Sequence, residues 1–83
     1  MERKIAYTVI FEPQPEGGYT ATVPALPGCV TEGETLQEAK EMAEDAIRCY
    51  VESLIKHNEP VPKDVTISGK PAIEKISVHM HMA

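Results

Sequence analysis

Between Thr35 and Pro60 the chain carries one uninterrupted helical stripe, and it dictates most of what the fold can be. Leu36, Ala39, Ala43, Ala46, Ile47, Tyr50 and Leu54 recur at intervals of three and four. At about 100° per residue they fall on one face roughly 100° wide. Thr35 and Glu38 have the Thr-x-x-Glu spacing of a capping box, in which hydroxyl and carboxylate satisfy the first free N–H groups of a helix. Nothing breaks the pattern before Asn58-Glu59-Pro60. Asn58 accepts a left-handed conformation and Pro60 stops propagation. Lys56 and His57 fall where the helix dipole favours cations. The spacing predicts a helix over about 36–57. Such a helix is stable only with its apolar face against something, and in 83 residues the rest of the chain must supply that surface.

The remaining segments read as strands. Ile5, Tyr7, Val9 and Phe11 alternate with Ala6, Thr8 and Ile10, and the β-branched and aromatic content suits a strand. Glu12-Pro13-Gln14-Pro15-Glu16-Gly17-Gly18 is a reversal, because proline removes ladder donors and glycine accepts positive φ. Tyr19 to Val23 alternates again, Pro24-Ala25-Leu26-Pro27-Gly28 turns the chain, and Cys29 to Glu32 makes a short edge strand closed by Gly33. Beyond the helix, a punctuated extended stretch over 59–72 leads to a last strand. It opens at Ile73; Ile76, Val78 and Met80 then share one face, and Ser77, His79 and His81 the other. Strands are expected near 4–11, 19–24, 29–33 and 73–80, in one domain spanning 1–83. The order β-β-β-α-β gives an α+β fold with sheet order 3-2-1-4 and one helix packed on one face. A right-handed crossover would lay the last strand parallel to the first. The uncovered face, carrying Thr8, Ile10, Thr20 and Thr22, is a natural place for another subunit.

Acids outnumber bases 13 to 8, for a formal charge of −5. A nucleic-acid binder shows a basic stripe, and this chain has none. No apolar run reaches the roughly 18 residues of a membrane span. Met1-Glu2-Arg3-Lys4 leads straight into alternation, without the apolar core of a signal peptide, so a cytoplasmic location is expected. Cys29 and Cys49 match neither a disulfide framework nor a zinc spacing, and read as small buried apolar residues. A core this small gains from a partner.

The run Gly17-Gly18-Tyr19-Thr20-Ala21-Thr22-Val23-Pro24 is followed by Leu26-Pro27-Gly28-Cys29-Val30-Thr31-Glu32-Gly33-Glu34-Thr35-Leu36-Gln37-Glu38-Ala39. With the helix through Tyr50 and the exit Glu59-Pro60-Val61-Pro62, it resembles the HicB antitoxin family over about residues 4–65. The resemblance implies a partial ribonuclease-H-like fold. It also implies a role, binding and neutralising a small basic HicA toxin that cleaves mRNA, and a homodimer or homotetramer. Many members add a C-terminal operator-binding domain. This chain departs from that pattern, stopping after one more strand, so direct nucleic-acid binding is not expected. A homo-oligomeric regulatory or scaffold domain without a toxin is the alternative.

Several side-chain groups bear on function. Glu32, Glu34, Glu38, Glu41, Glu44 and Asp45, offset only by Lys40, put −5 into fourteen positions. Such a band is either a solvated face that suits a helix N-terminus or a surface complementary to a basic toxin. Leu26, at the Leu-Pro-Gly turn, is either part of a rigid reversal or a contact presented to a partner, and Met42 and Cys49 border the apolar stripe. Catalysis finds little support. Metal-dependent nucleases need carboxylates converging on the metal, and the first strand offers only Glu12. Cys29 has no base in sequence reach. His79 and His81 share a strand face with no third ligand. No catalytic residue, metal or cofactor is expected.

Overall fold

A computed structural model of the chain describes residues 2–64 and 73–81, with side chains over 5–64 and 76–78. Strand β1 (Glu2–Pro13) is the spine. Its inner side chains Tyr7, Val9 and Phe11 are buried under the helix, as the alternation requires. The turn that follows is closed by two hydrogen bonds. Gln14 N–H donates to Gly18 O and Gly17 N–H to Gln14 O, each at 3.0 Å. Gly17 and Gly18 sit at φ +99° and +82°, a region that β-carbons disfavour. Strands β2 (Tyr19–Thr22) and β3 (Val30–Gly33) complete the first half of the sheet. The link between them is a pair of tight turns, with Leu26 N–H on Val23 O and Cys29 N–H on Leu26 O.

Helix α1 (Leu36–Lys56) begins as its sequence promises. Glu38 N–H donates to the Thr35 hydroxyl at 3.0 Å. The Glu38 carboxylate reaches back one residue further than in the standard box, accepting from Glu34 N–H at 2.8 Å. At the other end Asn58 adopts φ +56°. Glu59 N–H bonds to Leu54 O and Asn58 N–H to Ile55 O, the two bonds of a Schellman motif.

The apolar stripe is shifted from its sequence expectation. Ala39, Ala43, Ile47 and Val51 are the buried row, whereas Leu36 is 37% exposed. The reason lies at Gly33. A β-carbon there would stand 2.4 Å from Ala39 N, so the first helical turn rests directly on the β3 backbone. Contact therefore begins at Ala39, and Leu36 lies outside the buried row. From there the i, i+4 row turns steadily round the helix and brings Val51 into the core.

Strand β4 (Ile73–His81) joins the far side of β1, giving the order β3-β2-β1-β4. The order and the α+β class agree with the sequence reading, but the direction does not. β4 runs antiparallel to β1, with register from Glu2↔His81 to Ile10↔Ile73. The parallel expectation assumed that the helix alone carries the chain back. Instead, residues after the helix climb alongside β1. Tyr7 donates its hydroxyl to Pro62 O, and Asp64 accepts from Thr8. The chain has thus regained height before β4 starts opposite Ile10, and β4 must descend. The expected extended course over 65–72 lies outside the described residues, as do the side chains of His79, Met80 and His81.

Candidate partner-binding surfaces

The acidic band is assembled from three elements. Glu32 lies on β3, opposite Thr20 in register. Glu34 sits in the link to the helix, and Glu38, Glu41, Glu44 and Asp45 follow on α1. All six are exposed, because each helical one falls off the buried Ala39–Val51 row. Glu38 serves the helix cap. Glu41 accepts from Gln37 Nε2 at 3.3 Å, and Glu44 pairs with Arg48 at 3.3 Å. An exposed i, i+4 pair of that kind contributes only about 0.3–0.5 kcal/mol, so it leaves the band's field largely intact. Glu32, Glu34 and Glu38 join Glu16 around an open groove of about 520 Å³ beside Gly17–Tyr19. Among the described residues no group of three or more His, Cys, Asp or Glu is placed to hold a metal ion.

The sheet face away from the helix is built in register rows. Ile10, Thr22 and Val30 form one row across β1, β2 and β3; Glu12, Thr20 and Glu32 form the next. Ile10, Thr20 and Thr22 are half-buried, and Val30 is 55% exposed.

Two of the expected interface residues are not at the surface. Leu26 is fully buried, because the tight turn folds it under the helix with Ala25 and Cys29. Thr8 is buried as well. Its N–H and its hydroxyl both donate to the Asp64 carboxylate, at 2.7 and 2.9 Å. Strand β2 pairs with β1 only from Ile10 to Pro13, so among the described residues no strand lies on that side of β1 below Ile10. Residues 61–64 occupy the gap and close an edge that would otherwise invite pairing with another chain. Sequence periodicity did not show this strap, because it acts through contacts between residues 56 apart.

The helix flank beside β3 carries a second feature. Met42, Ala46 and Tyr50 follow one another at i, i+4, i+8, with Cys49 next to them. Tyr50 donates its hydroxyl to Pro27 O at 2.8 Å, which ties this flank to the β2–β3 link. Met42 is 45% exposed and Cys49 is exposed, so the expectation of two buried cysteines holds for Cys29 alone. Burial also pushes the Cys29 thiol above its ordinary pKa, which suits a packing role. Val30 was missed in the sequence because its strand is too short to show alternation. Its register with Thr22 is what reveals its position.

Comparison with known proteins places these surfaces in context. The family model described as HicB-like antitoxin of bacterial toxin–antitoxin system matches residues 7–79. The chain is 48% identical over 73 residues to UPF0150 protein Ta0767 of Thermoplasma acidophilum, covering 88% of this chain and 96% of that protein. It is 40% identical over 60 residues to Antitoxin HicB 1 of Photorhabdus laumondii, covering 72% of this chain but only 39% of that protein. Among solved structures, the N-terminal domain of the Burkholderia pseudomallei antitoxin HicB is similar with a TM-score of 0.64 and 31% identity, over 78% of this chain and 74% of that one.

Proposed function

Because this chain belongs to the HicB-like antitoxin family of bacterial toxin–antitoxin systems, we propose that it is the antitoxin half of such a pair. It binds a small basic HicA-like ribonuclease and neutralises it by occlusion, denying RNA access to the toxin's active site. The observation that carries this reading is the family match across residues 7–79, which spans β2, β3 and the helix whole and most of β1 and β4. The acidic band adds a physical rationale. Six exposed carboxylates at Glu32, Glu34, Glu38, Glu41, Glu44 and Asp45 attract a cationic RNA-binding surface and repel RNA itself. The protein acts in the cytoplasm without catalysis of its own. It assembles as a homodimer or homotetramer.

Co-expression tests the proposal. The HicA-like protein from the same genome, expressed alone, is expected to arrest growth and degrade transcripts. With this chain present, growth resumes, the two proteins co-purify, and RNA stays intact in vitro. Absence of a complex at micromolar concentrations rejects the proposal. RNA cleavage by the purified chain alone rejects the occlusion mechanism.

A further inference from the structure

Resting on the antitoxin reading, we infer that the toxin docks by strand addition: a basic, extended segment of the partner pairs with the outer edge of β3 and lies between Val30 on one side and the Met42–Cys49 flank of α1 on the other. Strand β3 ends the sheet, and among the described residues no strand pairs with its outer side. It therefore presents unpaired backbone N–H and C=O groups that an incoming strand can satisfy. The lower part of β1 is covered by residues 61–64. At β3, Val30 lies on the open face, and the helix lies on the other, seated on Gly33 at Ala39 and bonded to Pro27 O through Tyr50. Val30 projects on the open face at 55% exposure, and Met42 projects from the helix flank at 45%. An added strand alternates its side chains, so one set meets Val30 and the other meets Met42 and Cys49.

Charge selects the occupant. Glu32 is on the edge strand itself, Glu34 follows it, and Asp45 stands beside Met42 on the helix. A second copy of this chain pairing edge to edge about a two-fold axis would bring these carboxylates against their own copies, an arrangement that like-charge repulsion opposes. A strand whose lysines and arginines flank apolar residues satisfies the backbone, the two apolar borders and the carboxylates together. The acidic band thus becomes the rim of a site whose centre is backbone.

Hydrogen exchange on the complex with the HicA-like protein of the same genome provides the test, together with binding by the variants Val30→Glu, Met42→Glu and Thr22→Lys. Each variant is first checked for an unchanged urea midpoint. Binding of the toxin is expected to slow exchange of the amides in 30–33 by about tenfold or more, because edge amides gain partners. V30E and M42E weaken binding by about tenfold or more, while T22K, on the interior row of the open face, leaves it unchanged. A complex that forms with no new protection in 30–33, and that T22K disrupts, overturns strand addition and leaves the antitoxin function standing. Protection in 30–33 that appears with rising concentration of this chain alone assigns the edge to a second copy and overturns the proposal. No complex at all overturns both readings.

Discussion

Gly33 is the residue on which the helix–sheet contact depends. A β-carbon added there meets Ala39 N at 2.4 Å, Ala39 Cα at 2.7 Å and the Glu38 carbonyl carbon at 2.8 Å. All three are backbone atoms of the capped first turn, so no rotamer change relieves the clash. Gly33→Ala is expected to cost about 3 kcal/mol, the upper part of the range for overpacking, read as a lower urea midpoint at unchanged slope. Gly17→Ala is the informative control. Gly17 has positive φ, but a β-carbon added there meets nothing within 4 Å, so only the conformational penalty of about 1 kcal/mol applies. Equal effects at the two positions would mean that the close approach at Gly33 is not what fixes the helix. The cysteines divide in the same residue-level way. Cys49 is exposed and Cys29 buried, so native protein at pH 8 is expected to take up one equivalent of iodoacetamide and urea-unfolded protein two. Because burial raises the Cys29 pKa, the folded state keeps the proton longer than the unfolded chain. The stability this gives is full below the ordinary thiol pKa of about 8.5 and is lost as pH rises through the folded value. Cys29→Ala is expected to flatten that alkaline decline in an unfolding series from pH 7 to 10.

Among the elements, the helix was the most legible. Thr35, Glu38 and Asn58 act locally: the Thr35 cap and the Asn58 termination appear where the spacing put them, and the Glu38 carboxylate lands one residue earlier, on Glu34 N–H. The alternation of Tyr7, Val9 and Phe11 against Thr8 and Ile10 was equally plain, because a strand with one face under a helix must alternate. Features set by distant contacts were not legible. Leu26 sits in a Leu-Pro-Gly turn that looks exposed in sequence, and only the helix above it makes it core. The direction of β4 depends on Thr8 and Asp64, and no local pattern joins residues 56 apart. The acid positions were legible as a band because a helix face can be read from spacing. Their role is tested at the level of the element. Reversing Glu41, Glu44 and Asp45 to Lys removes three negative charges and adds three positive ones on the exposed face of α1, leaving the buried row untouched. Association with the basic toxin at low salt is expected to slow by about tenfold or more and to lose most of its salt dependence, with dissociation changed much less. Stopped-flow kinetics over a salt series measures this directly. An unchanged association rate at low salt would remove steering from the account.

At the scale of the whole molecule, β1 ties two halves that are far apart in sequence. Its upper residues, Ile10 to Pro13, pair with β2, while its lower residues, Glu2 to Val9, have β4 as their strand partner among the described residues. The helix bridges the same division: its buried row starts on β3 at Ala39 and ends at Val51, which shares the core with Val78 of β4. Neither half has a complete core. A chain cut after Asn58 keeps β1, β2, β3 and α1, but it loses the β4 partners of β1 below Ile10 and the strap that closes its other edge at Thr8. It also uncovers Tyr7, which bonds Pro62 O, and Val51, which shares the core with Val78; a buried side chain like Val51 stabilises by roughly 1.5–3 kcal/mol. A domain of this size has about 5–10 kcal/mol in total, so the truncated chain is expected to lack a cooperative transition. Thermal and urea melts followed by circular dichroism would show a broad, shallow decline in place of a sigmoid, and a dye specific for exposed apolar surface would bind. Asp64→Ala makes a graded version of the same cut. It leaves β4 in place and removes the carboxylate that accepts from the buried Thr8 N–H and hydroxyl, costing about 1–3 kcal/mol while cooperativity survives. If the truncated chain instead melts sharply as a monomer, the three N-terminal strands and the helix form a sufficient core without β4, and the strap and last strand are attachments to it.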